Sequence, residues 1–365
     1  MATFNQLSKV APSLLAYGGS VELISAPGRG KSTFIADMVN GMNKGIDDPA
    51  QKWGFAVAFL GTYTPVDLLG FMIPQKDANG GAPRSAFTIP GWMQTRDNKL
   101  VSEYSRGVLF LDEFGQAEPD VKKTSADLLL NKRIGPHVLP PGWVVWAASN
   151  RASDRSGVTK QFDFVINRVT QVHITDDMDS SLDWMARNGV HPTIQAFTRQ
   201  NPQVVFSEGV PEKQGPWCTP RSIVEAGKLL QTMAGGPDRP LPLEGMATEL
   251  VSGQIGAGAA GQLMAFVKLE HKLPKWADIL NDPAGCKLAD SPDAQMLVCY
   301  SAAAKVDANN AGPVIQYIER MPKEFGVTFA KASVRRDPTL INTKAFTSWC
   351  ARNASLMASV VIDTK

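Results

Sequence analysis

The sequence predicts an α/β fold, a parallel sheet flanked by helices on both faces, followed by an all-helical region. Three observations carry that expectation. Apolar runs of strand length alternate with connections long enough to hold a helix, and a glycine-rich turn joins the first of those runs to a helical pattern. Beyond about Gly235 the strand-like runs give way to helical periodicity. The chain has 365 residues, enough for about two domains, and the change of texture at the Gly/Pro-rich GGPDRPLP places them at 1–235 and 236–365.

Read from the N-terminus, Phe4 to Tyr17 has the apolar spacing of a short helix, interrupted near Pro12 and broken by Gly18-Gly19. Val21-Glu22-Leu23-Ile24 then reads as a strand, residues 25–32 as a turn, and Ser32 to Met42 as a helix ending at Gly41 or Gly45. Phe55 to Leu60, Val108 to Leu111, Val144 to Ala148 and Val169 to Ile174 read as four more strands. The stretch from Pro74 to Pro90, with its QKDANGGAPR, is too long for an ordinary connection and is expected to be an exposed insertion with a function of its own. Past the boundary, Ala257 to Leu269, Asp293 to Ala304 and Pro313 to Arg320 carry helical spacing.

Composition excludes several classes. Hydrophobic residues make up 44% and charged residues 20%, which is globular rather than disordered or coiled-coil. A formal net charge of +2 gives no global basic field, which argues against a dedicated nucleic-acid coat and leaves only a local basic face open. Cys218, Cys286, Cys299 and Cys350 form no ligand spacing with each other or with the four histidines, so no structural metal is expected. The polar N-terminus has no secretory pattern, and no apolar run approaches the roughly 18 residues of a membrane span. A reducing, cytoplasmic location and no membrane association are the expectations.

Chemistry enters at Ser25-Ala26-Pro27-Gly28-Arg29-Gly30-Lys31-Ser32-Thr33, between a predicted strand and a predicted helix. In that context the backbone N–H groups of the loop and the helix start face outward and can cradle a phosphate. Lys31 would reach the terminal phosphates and Ser32 would place its hydroxyl on Mg²⁺. The pattern GxxxxGK[ST] fails at one position, because Ser25 stands where its first glycine should be. Val108-Leu109-Phe110-Leu111-Asp112-Glu113 is an apolar strand ending in two carboxylates, at the sheet edge where ligands bind. Asp112 suits the metal or its waters, and Glu113 suits orienting an attacking water.

With those segments on the page, the chain resembles an AAA+ ATPase of the MoxR family, in the helix-2-insert clade. Val144 to Asn150 resembles the family's strand ending in a polar sensor, which implies that Asn150 is sensor 1. Phe164-Val165-Ile166-Asn167-Arg168 resembles the arginine-finger segment, and Thr219-Pro220-Arg221 the start of the sensor 2 helix. Val66 to Gly70 leading to Phe87 to Trp92 is similar to the family's insert, and Arg133 to Trp143 to the hairpin before sensor 1. Two departures stand out: Val169 follows Arg168 where relatives usually have Phe, and Ser25 replaces Gly. Arg155 is a competing trans-acting arginine. The resemblance implies ATP and Mg²⁺ as ligands and a homo-oligomeric, hexameric ring. It also implies a client protein to be remodelled and a von Willebrand factor A domain partner.

Plainer readings stand beside these. Arg151, Arg155, Arg168 and Arg221 can be surface ion-pair partners, Asn150 a loop cap, the tryptophans packing, and Arg335-Arg336 a solvated face. Three functions therefore compete: an ATP-driven remodelling motor, a DNA-directed AAA+ motor of helicase or clamp-loader type, and a nucleotide-dependent scaffold of low turnover.

Overall fold

The structure, a computed structural model, describes residues 1–76, 84–154, 157–159, 162–207, 209–236 and 239–354. They pack as two compact units that part at Asp176/Asp177. The sequence texture changes later, near 235, at the Gly/Pro-rich run.

The first unit is built on a five-stranded sheet, entirely parallel. Its strands are β1 (Val21–Ser25), β2 (Trp53–Phe59), β5 (Arg106–Asp112), β8 (Trp143–Asn150) and β9 (Thr170–His173), in the order β2-β5-β8-β1-β9. Between β2 and β5 lies the antiparallel pair β3 (Met72–Gln75) and β4 (Arg84–Phe87), and between β5 and β8 the short pair β6 (Arg133–Ile134) and β7 (His137–Val138). Helices α1 (Phe4–Tyr17), α2 (Lys31–Asn43), α3 (Pro65–Leu69), α4 (Pro119–Asn131) and α5 (Asp163–Ile166) complete the unit.

Alternation along the central strands explains why both faces are covered. Val108 and Phe110 of β5 join Val144, Trp146 and Ala148 of β8 in one core against Leu7, Ala11 and Leu15 of α1 and Ile35 and Val39 of α2. Their neighbours Leu109, Leu111, Val145 and Ala147 enter a second core with Val121, Leu128 and Leu129 of α4. This is the α/β architecture the sequence predicts, and the four later strands fall where expected.

One local expectation is corrected. Pro12 does not interrupt α1, which runs unbroken from a Thr3/Gln6 capping box to the left-handed Gly18. Pro12 lies on the exposed side, where water can take the carbonyl it leaves without a partner. The inserted segment is exposed as expected: its described residues form the antiparallel pair β3 and β4 and keep Phe71, Met72, Ile73 and Ile89 exposed, and residues 77–83 lie outside the described residues.

The second unit is helical throughout its described residues: α6 (Met178–Arg187), α7 (Pro192–Gln200), α8 (Pro202–Val205), α9 (Pro220–Ala234), α10 (Gly245–Ile255), α11 (Ala257–Glu270), α12 (Trp276–Asn281), α13 (Pro292–Lys305), α14 (Ala311–Ile318), α15 (Lys323–Arg336) and α16 (Lys344–Arg352). One continuous core joins Leu182 and Phe197 to Leu230, Leu263, Leu297, Tyr317, Phe329 and Trp349. Helices α6 to α9 thus share a core with residues the sequence reading assigned to a separate domain. Arg335 and Arg336 are not a solvated face. Arg335 pairs with Asp179 and Asp183, and Arg336 donates to Ala304 O and Val306 O at the end of α13. The four cysteines are free thiols. Among the described residues no helix is long and apolar enough to cross a membrane.

Candidate active site

The C-terminal ends of four parallel strands converge, and each contributes a residue. β1 feeds the turn 26–30, in which Gly28 (φ 72°) and Gly30 (φ 92°) take the left-handed conformation that glycine adopts without steric cost. Gly30 is the N-cap of α2 and offers no side-chain cap, so the first-turn N–H groups of α2 stay available to an anion. Ser25 resolves the first departure from the motif. It is the last residue of β1, paired with Asn150 and in ordinary strand conformation, so no glycine is required there. Its hydroxyl instead accepts from Lys31 Nζ at 3.1 Å.

Lys31, the first residue of α2, is 8% exposed, and its ammonium folds back over the turn. It donates to Ser25 O and Ala26 O, both at 3.2 Å, and to Asn150 Oδ1 at 2.9 Å. Asn150 is therefore a ligand of this lysine at the end of β8 and not a loop cap. Ser32 Oγ donates to Asp112 Oδ2 at 2.7 Å, and the other Asp112 oxygen accepts from Glu113 N at 2.9 Å. One hydroxyl beside one carboxylate is the donor set with which Mg²⁺ is commonly held when phosphate and water supply its other ligands.

Glu113 adopts φ 56° as the chain leaves β5, a left-handed conformation that costs a non-glycine residue about 1 kcal/mol. Such strain is tolerated where the surroundings fix it, most often at functional sites. Its exposed side chain lies against the backbone of Gly61, just past β2, where a Cβ would collide with the Glu113 carboxylate. Sequence reasoning missed Gly61, because nothing in its neighbourhood marks it as a site residue.

Pro27 and Thr33 lie on the turn and the first turn of α2. Arg29 turns its side chain away, into an ion pair with Asp176. Arg168 lies between α5 and β9, with its guanidinium over the Phe164 ring at 5.5 Å. Arg221 is the exposed second residue of α9 in the helical unit, behind the Thr219/Ser222 capping box. Arg155 lies outside the described residues.

A buried polar layer supports the cluster from the opposite face of the sheet. Glu22 of β1, fully buried, accepts from Ser149 Oγ and from Gln171 Nε2 at 2.9 Å. Lys122 of α4 donates to Gly115 O at 2.8 Å and to Thr159 Oγ1 at 2.6 Å, which holds the segment after Glu113. Burial pushes the Lys122 ammonium below its ordinary pKa, opposed by the charges of Glu22 and Glu118.

No family model and no curated protein matches the chain. Among solved structures it is similar to a candidate ATPase from Cytophaga hutchinsonii at 12% identity, with 90% of this chain and 78% of that chain covered and a TM-score of 0.34. It is also similar to a point mutant of Thermotoga maritima RuvB at 12% identity, covering 78% and 79%, with a TM-score of 0.38. A second point mutant of the same RuvB gives 13% identity, coverages of 76% and 74%, and a TM-score of 0.36. Likenesses this distant leave the site to be argued from the chain's own geometry.

Proposed function

We propose that this chain is an ATPase of the AAA+ type, resembling the MoxR family, that hydrolyses ATP to ADP and phosphate to remodel a client protein. The observation that carries the reading is the convergence of Lys31, Ser32, Asp112 and Asn150 on a left-handed glycine turn at the C-terminal ends of parallel strands. In this reading the N–H groups of residues 28–33 and the Lys31 ammonium bind the triphosphate. Ser32 and Asp112 hold Mg²⁺, which neutralises charge on the phosphates. Glu113 accepts a hydrogen bond from the attacking water and orients it, and Asn150 keeps Lys31 in register with the strand ends.

Arg168 completes the site from a neighbouring subunit, which makes the contact heterologous and closes a ring, a hexamer by the family resemblance. Arg221 serves as the helical unit's sensor of the γ-phosphate. The exposed residues Phe71, Met72, Ile73 and Ile89 of the inserted segment address the client, and a von Willebrand factor A domain protein is the partner the resemblance suggests. The DNA-directed alternative has only a net charge of +2 to draw on, and no observation favours it.

The test is calorimetric titration of MgATP into the wild type and Lys31→Ala. Binding by the wild type and no detectable binding by the variant is expected, since the turn alone does not neutralise a triphosphate. Equal affinity refutes the phosphate-loop assignment.

A further inference from the structure

Arg29 sits between the two left-handed glycines of the turn, in a segment whose proposed work is to receive an anion, yet its charge is not directed to the open side. Its side chain is 5% exposed, and Nε lies 2.9 Å from Asp176 Oδ1. A turn curved by Gly28 and Gly30 has little stiffness of its own, because glycine has the largest backbone freedom of any residue. Lys31 holds its start through Ser25 O and Ala26 O, and Arg29 is a side chain by which its middle is held from outside.

The carboxylate that holds it is itself held. β9 runs beside β1, with His173 paired to Ile24, and Ile174 N donates to Ile24 O at 2.8 Å. Thr175 N donates to Ala2 O at 3.0 Å. Asp176 therefore follows two main-chain hydrogen bonds, the first of them to the strand that feeds the turn. With Arg29 buried and Asp176 partly so, this ion pair is screened by solvent less than one on the open surface.

We propose that Asp176 is a positioning residue for the nucleotide site, acting through Arg29 to set the phosphate turn in its binding conformation. This rests on the nucleotide reading above. Because neither group is placed to touch the reacting atoms, the pair governs affinity and leaves the chemical step alone.

The experiment measures MgATP affinity and steady-state turnover on the full chain for the wild type, Asp176→Asn, Arg29→Gln and the double variant. Each single variant should bind about tenfold more weakly, as expected for loss of a charge-assisted contact. The double variant should be no weaker than either single, the signature of groups that act as a pair. For Asp176→Asn, KM should rise while kcat stays within about twofold, a split that general loss of structure would not produce. Arg29→Lys, which keeps the charge, should recover affinity to within about threefold of the wild type. Single variants within about twofold of wild-type affinity, additive losses in the double variant, or a fall in kcat at unchanged KM would each overturn the proposal. A wild type that binds no MgATP would overturn this and the nucleotide reading together, whereas normal wild-type binding with unaffected variants would overturn this alone.

Discussion

In the α/β unit, buried charged and polar groups gather at the strand ends or directly behind them: Lys31 on Asn150, Arg29 on Asp176, Glu22 beneath Ser149, Lys122 on Gly115. In the helical unit the equivalent groups join one helix to another. Arg335 ties α15 to Asp179 and Asp183 of α6, and His191 faces Glu270 at 3.6 Å between α7 and α11. A cavity of about 260 Å³ opens among His191, Gln195, Glu270 and Arg336, where Gln195 donates to Val190 O and Arg336 to Ala304 O. Parallel strands end together and so collect side chains from distant parts of the sequence at one edge, whereas packed helices spread theirs along their lengths. The difference predicts that substitutions in the first unit alter chemistry and that those in the second, Arg221 apart, alter stability.

The largest test of that division is Arg168→Ala. It should slow turnover about 10³-fold and leave the affinity of one protomer nearly intact, because a trans arginine acts on the transition state. Mixing inactive Arg168→Ala with inactive Lys31→Ala should restore activity in subunits that exchange; no rescue at any ratio would make Arg168 a cis residue, and rescue only with Arg155→Ala would move the role there. Next, Glu113→Gln should retain MgATP binding and slow hydrolysis by about two orders of magnitude. Hydrolysis at the wild-type rate would reduce Glu113 to a structural residue.

In the helical unit, Leu297→Ala removes a fully buried side chain of α13 and should cost about 3 kcal/mol in chemical denaturation. Its kcat in the folded fraction should match the wild type, and a large fall in kcat would break the division.

The smallest expected effect concerns acid stability. Burial alone would raise the Asp179 carboxyl, but the hydrogen bond and charge of Arg335, with Lys331 and Arg199, hold it below the usual carboxylate value. A carboxylate depressed in the folded state contributes fully above its unfolded pKa and loses that contribution as pH falls through the folded one. Arg335→Met should therefore lower Tm at neutral pH and flatten its decline below about pH 4. Parallel Tm curves would show that the pair adds nothing.

What could be read from the sequence follows from the same contrast. The turn at 25–33, Asp112 and Asn150 were legible because each sits at a strand end, with an apolar run leading to it. The ligands of Lys31 were not, nor was the placement of Arg29 on Asp176, since each contact joins residues far apart in the chain and no local pattern records it. Ser25 looked like a defect in the motif because a pattern of letters does not distinguish a glycine needed for positive φ from a position that is ordinary strand. The unit boundary was hidden for a related reason. Helical periodicity in α6 to α9 does not record what a helix packs on, and only their packing partners, Leu263 and Leu297 among them, assign them to the other unit. Pro12 misled by proximity to a helix centre, since its exposed position is not visible in the spacing.

The pleat of β8 has a consequence for how this chain can change over generations. Ser149 and Asn150 are neighbours that point to opposite sides, one tied to Glu22 behind the sheet and the other to Lys31 in front. Gain of a single codon between 143 and 148 would carry Ser149 into the place before the lysine, and loss of one would carry Asn150 into the buried place opposite the Glu22 carboxylate. Point substitutions along this strand are a matter of degree. A change of its length is not, so lineages that keep the site should vary β8 in composition and hold its residue count constant.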